Sequence, residues 1–137
     1  MTKKIICVWI GAFDSETDFY SDYLAHNYDN IDHPESKFGK DAELEYFDED
    51  FIESWWFEKL TIENLVEYKT GLLEYSYFFE ELLTVLKQKD LAQKNTITFL
   101  YGEKSSNSTN EMLFKYQGMK NTNKPIEFVF RKEYIIN

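Results

Sequence analysis

Lys3-Lys4-Ile5-Ile6-Cys7-Val8-Trp9-Ile10-Gly11 is the stretch from which the fold is read. Six apolar residues, mostly β-branched or aromatic, run without a polar interruption and stop at a glycine. That is the pattern of a central strand covered on both faces. The two lysines ahead of it give the outline of a secretory leader, but Asp14 and Glu16 break the apolar stretch and no small-residue cleavage pattern follows. No segment approaches the roughly 20 apolar residues of a membrane span.

Working outward, Asp14 or Ser15 offers a helix cap, with Asp18 three residues after Ser15, and Phe19, Tyr23 and His26 or Asn27 follow at helical spacing, which predicts a helix from about Glu16 to Ala25. Residues 28 to 41 hold Asp-Asn, His33-Pro34 and Phe38-Gly39 amid charge and read as a surface loop. Leu44, Tyr46 and Phe47 suggest a short edge-like strand, and Phe51 to Glu58 a helical turn or two. A short helix is expected around residues 63 to 69, closed at Gly71 by a positive φ, and a longer amphipathic one from Tyr75 to Lys89. Thr96 to Tyr101 is a strand, the polar tract 103 to 110 a loop, and Ile126 to Tyr134 alternates as a half-exposed strand. The expected architecture is α+β: residues 1–137 as a single small domain, a mixed sheet of about four strands packed against helices, these mainly on one side.

Charge is distributed unevenly. Between Asp14 and Glu67 seventeen carboxylates face only Lys37, Lys40 and Lys59, a net charge of −14 within a chain of −10 overall. Aromatic residues at 18% exclude a disordered acidic tail, so the acid decorates a folded surface. Excess anion argues against a nucleic-acid partner, whose phosphates need Lys and Arg, and against anionic membrane surfaces. Cys7 is the single cysteine and lies inside the first strand, so no intramolecular disulfide can form, and a buried thiol in a cytoplasmic protein is expected.

Sites of familiar chemistry are weak. Asp48, Glu49, Asp50 and Glu53 could offer oxygen ligands to Mg²⁺ or Ca²⁺, but the alternating donors and central Gly of a calcium loop are absent. His26 and His33 lie in no zinc-binding frame and read as polar surface residues. No nucleophile elbow or phosphate loop is present, so no catalytic residue, metal or cofactor is assigned. Trp55, Trp56 and Phe57 admit core packing, partner anchoring, or stacking on bases or sugars, the last opposed by the surrounding charge.

Val8-Trp-Ile-Gly-Ala-Phe13, the acidic segment with Tyr23-Leu24, Tyr46-Phe-Asp-Glu-Asp-Phe51 and Glu74-Tyr-Ser-Tyr-Phe-Phe79 together resemble the immunity protein 22 family of bacterial polymorphic toxin systems. The resemblance implies a cytosolic antitoxin that binds and blocks a cognate toxin domain without catalysis of its own.

A function follows from joining that resemblance to the charge. The acidic surface of Asp41, Glu43, Glu45, Asp48, Glu49, Asp50 and Glu53, with Trp55 or Trp56 as anchor, is expected to cover the basic cleft of a nuclease-type toxin. Two rivals use the same residues differently: a small metal-dependent hydrolase or transferase with Asp48 and Asp50 as ligands, and a non-enzymatic adaptor whose acidic face serves solubility.

Overall fold

The computed structural model describes residues 1–26, 35–44 and 46–137. Its spine is strand β1 (Thr2–Gly11), in which every residue from Ile5 to Ile10 is fully buried. On one side β1 pairs with β3 (Thr96–Lys104), from Lys3 opposite Lys104 to Gly11 opposite Thr96. On the other it pairs with β4 (Ile126–Ile136), with a register shift between Val8 and Trp9. The short β2 (Ile52–Trp56) joins the far side of β3, giving the order β2-β3-β1-β4.

Alternation along β1 divides the core in two, because successive side chains point to opposite faces. Ile6, Val8 and Ile10 meet Leu65 of α2 (Ile62–Tyr68) and Leu82, Leu83 and Leu86 of α3 (Phe79–Leu86). Ile5, Cys7 and Trp9 meet Phe19 and Tyr23 of a π-helical turn at Asp18–Tyr23, Phe38 of α1 (Lys37–Asp41), and Leu113 of a 3₁₀ turn at Glu111–Lys115. The sheet is therefore covered on both faces, and not mainly on one. Trimming Ile6 to Ala in such a site costs about 2–5 kcal/mol.

The α+β class and the four strands stand, but all three pairings are antiparallel, so the sheet is not mixed. The helices explain this. A parallel neighbour requires a connection that returns along the full strand, about 33 Å for ten residues, whereas the eight-residue α3 spans about 12 Å. Short helices cover the faces without carrying the chain back.

Two adjacent segments depart from their expected roles. Leu44, Tyr46 and Phe47 lie in no strand: Glu43 has φ +61°, and Phe47 turns inward against Phe38. The strand lies instead at Ile52–Trp56, where a helical turn is expected from sequence. Within the expected loop of 28 to 41, α1 begins at Lys37, capped by Ser36, whose Oγ accepts the Gly39 N–H at 3.0 Å. The loop's first part, with His33, lies outside the described residues. The expected long helix breaks as well. A 3₁₀ turn at Tyr75–Tyr77 follows Glu74 at φ +58°, and α3 starts only at Phe79, because Tyr75, Tyr77 and Phe78 are weak helix formers. Gly71 does not take a positive φ; among the glycines only Gly118 does, at +103°.

Other expectations match. Ser15, one of the two candidate caps, accepts the Asp18 N–H at 3.0 Å through its Oγ, a short helix α2 forms in the expected region, and β3 and β4 occupy the two expected strand segments. No helix among the described residues is long and apolar enough to cross a membrane.

Candidate functional site

The densest acidic run leads into the sheet edge, and an asparagine holds it there. Asn110 adopts φ +45°; its Oδ1 accepts the Asp48 N–H at 2.6 Å, while its Nδ2 donates to the carbonyls of Asp48 at 3.3 Å and Tyr101 at 3.0 Å. Gly102 makes room for this crossing, since a Cβ there would lie 2.7 Å from the Asn110 carbonyl oxygen and 2.9 Å from Ile5. Fixed at its backbone, Asp48 uses its carboxylate to accept the Asp50 N–H at 3.0 Å and so caps the 3₁₀ turn Glu49–Phe51. That turn leaves Asp50 and Phe51 exposed at the entrance to β2.

Along β2 the side chains alternate. Glu53 and Trp55 share a face with Phe99 and Ile97, and Ile52, Ser54 and Trp56 share the other. Trp55 is half-buried, its ring 5.5 Å from that of Phe99 and 6.1 Å from Tyr68, while Trp56 packs into the second core. The outer edge of β2 is closed by one phenol: the Tyr20 hydroxyl donates to the Ser54 carbonyl at 3.0 Å and accepts the Trp56 N–H at 2.9 Å.

The carboxylates grouped by sequence part company in space. Asp41 accepts the Tyr23 hydroxyl at 2.7 Å and pairs with Lys124 at 3.4 Å. Glu43 accepts the N–H groups of Lys120 at 2.5 Å and Asn121 at 2.9 Å, pinning the turn ahead of β4. Both act as internal fasteners. Glu45 lies outside the described residues. Glu49 lies 2.7 Å from Nδ1 of His26, whose side chain is 4% exposed and packs edge-on against Phe47. The His26 side chain is thus buried and is not the polar surface group expected. Asp48, Glu49, Asp50 and Glu53 do follow one another from loop to strand, with Trp55 next on the face of Glu53.

Glu53 stands apart chemically. It accepts the Tyr101 hydroxyl at 3.2 Å and the Leu73 N–H, and takes part in no ion pair among the described residues. Burial pushes its carboxyl above the usual carboxylate range, against the pull of those two hydrogen bonds. Nearby, Lys4 pairs with Glu103 at 2.9 Å and Glu74 at 3.5 Å, and Glu74 also accepts the Tyr134 hydroxyl at 3.0 Å. A cavity of about 200 Å³ opens here, lined by Lys4, Phe51, Leu73, Tyr101, Glu103 and Asn107 among others. Phe51 is 39% exposed and Leu73 47%.

Sequence reasoning passed over Phe51, Leu73 and Tyr101. Reading residues 51 to 56 with a period of two would place Phe51, Glu53 and Trp55 on one face; adjacent tryptophans serving opposite cores hide that period.

Cys7 is buried, with its thiol pushed up to about 12 by desolvation, partly offset by Arg131, so no thiolate forms near neutral pH. Among the described residues no group of three or more His, Cys, Asp or Glu side chains could hold a metal ion. A family model described as Immunity protein 22 matches residues 6–127. No curated protein and no solved structure matches the chain.

Proposed function

The chain belongs to the Immunity protein 22 family, and on that premise we propose that it neutralises its toxin by stoichiometric binding, the strip Asp48, Glu49, Asp50 and Glu53 occupying a basic cleft of nuclease type. Membership carries an immunity role with a cognate toxin as partner. What directs attention to this strip is Glu53, half-buried beside exposed Phe51 with no ion-pair partner among the described residues, while Asp41 and Glu43 are engaged within the chain. A nuclease cleft is lined by cations that hold phosphates, and fixed carboxylates stand well in their place. Phe51 supplies an exposed aromatic contact, and Trp55, on the face of Glu53, extends it; Trp56 serves the opposite face.

The test is charge reversal at Glu49 and Asp50. Asp48 is left alone, because its carboxylate caps the turn. The Glu49→Lys/Asp50→Lys variant should keep its circular dichroism spectrum and fail to protect cells that express the toxin domain encoded beside it. Full protection by that variant rejects the surface.

A further inference from the structure

We propose that the cavity between Phe51, Leu73 and Tyr101 receives an arginine side chain of the toxin, with its guanidinium paired to Glu53. This rests on the antitoxin reading above and names the chemistry by which that surface recognises its partner.

Size comes first. At about 200 Å³ the cavity is smaller than the roughly 300–1,000 Å³ of ordinary small-molecule pockets and suits a single inserted side chain. One side of it is apolar and partly open, opposite Lys4, Glu103 and Asn107: Phe51 and Leu73 present 39% and 47% of their surface to water although neither is needed to close a core. An aliphatic stem would cover them while its charged end reaches polar groups, as long cationic side chains do.

Charge then selects the sign. Lys4 and Glu103 line the cavity and pair with each other, Glu74 also holds Lys4, and Glu53 stands behind the wall, bonded to the hydroxyl of the lining residue Tyr101. Burial alone would lower the Lys4 pKa, but those two carboxylates outweigh it and raise it, so the ammonium stays charged and the group keeps a net charge of about −2. Glu53 is the carboxylate left without a cation, held in place by the Tyr101 hydroxyl and the Leu73 N–H. Supplying one removes the cost of a desolvated charge standing alone.

Geometry favours arginine over lysine. Two aromatic rings, Phe51 and Tyr101, line the cavity, and a planar guanidinium can lie against a ring while donating in its own plane.

The probe is N-acetyl-L-argininamide titrated into the ¹⁵N-labelled full chain. Saturable shifts are expected at the amides of Leu73 and Gly102, with none from N-acetyl-citrullinamide, its neutral isostere. Glu53→Gln should weaken binding about tenfold, the ratio matching one lost charge-assisted hydrogen bond. Shifts that grow linearly and spread over the acidic surface overturn the pocket, and equal binding of N-acetyl-lysinamide overturns the choice of arginine. In a second arm, Leu73→Ala and Glu53→Gln are measured against the neighbouring toxin domain and should each dissociate about tenfold faster. Unchanged dissociation in both overturns the pocket and leaves the antitoxin reading standing. A wild-type chain that binds no toxin overturns that reading, and the argininamide titration then judges the pocket alone.

Discussion

Asp41 and Glu43 differ from Asp50 and Glu53 in a way that the charge of the run conceals. The first pair is bonded to a phenol, an ammonium and two backbone N–H groups, and holds the turn before β4 against α1. In the second pair Asp50 is exposed and Glu53 bonds to the Tyr101 hydroxyl in the wall of a half-open cavity, and neither member has a cationic partner among the described residues. Charge density in a sequence therefore marks where to look, and the hydrogen-bond partners separate fasteners from surface available to another molecule. A solvated acidic face has no reason to bury one of its carboxylates beside exposed aromatics, because desolvation without a counter-charge is costly.

The largest effect should come from the residue that positions the second pair. Asn110→Ala removes three hydrogen bonds to Asp48 and Tyr101 and puts alanine at φ +45°, so a loss of about 2–4 kcal/mol is expected in urea denaturation. Toxin binding should fall with it, since the 48–51 turn loses its anchor. A stable variant with normal binding would mean that the turn needs no such clamp.

Asp41→Ala comes next. It orphans the buried Tyr23 hydroxyl and should cost about 1–3 kcal/mol, while toxin affinity measured below the unfolding range stays unchanged. An affinity loss as large as the stability loss would erase the distinction between the two pairs. Asp50→Lys should do the reverse: stability within about 0.5 kcal/mol of the parent chain, and an association rate that drops and loses much of its salt dependence.

The smallest effect is on pH response. Because the folded state raises the Glu53 carboxyl above its unfolded value, the folded chain binds more protons just above the ordinary carboxylate range. Stability then falls as pH rises through that window and is greater below it. Glu53→Gln should flatten this part of the pH–stability curve and slightly raise the melting temperature at neutral pH. A lower neutral-pH melting temperature would show that the charge stabilises the fold and is not a cost retained for binding.

Much of the fold was legible in residues 5 to 10, 96 to 101 and 126 to 134, where continuous or alternating apolar residues have one reading. The β2 segment was not. Trp55 and Trp56 each serve a different core, so both phases of the alternation look apolar and the period disappears. Helix lengths were overread where aromatics follow one another at Tyr75 to Phe79, because periodicity carries no record of a positive φ at Glu74. At the candidate site the acidic strip could be picked out, but Leu73 and Tyr101 reach it from distant positions through tertiary contacts that leave no local trace. The opposite edge offers a contrast: β4 is longer, carries Arg131 and Lys132, and is interrupted by the register shift at Val8 and Trp9, features that discourage strand addition.

Calorimetric titration of the neighbouring toxin domain into Glu49→Lys/Asp50→Lys and into Lys132→Glu decides between the two edges. Loss of at least about tenfold in affinity is predicted for the first variant, with near-parental binding for the second. Parental affinity in the first and loss in the second would contradict the account.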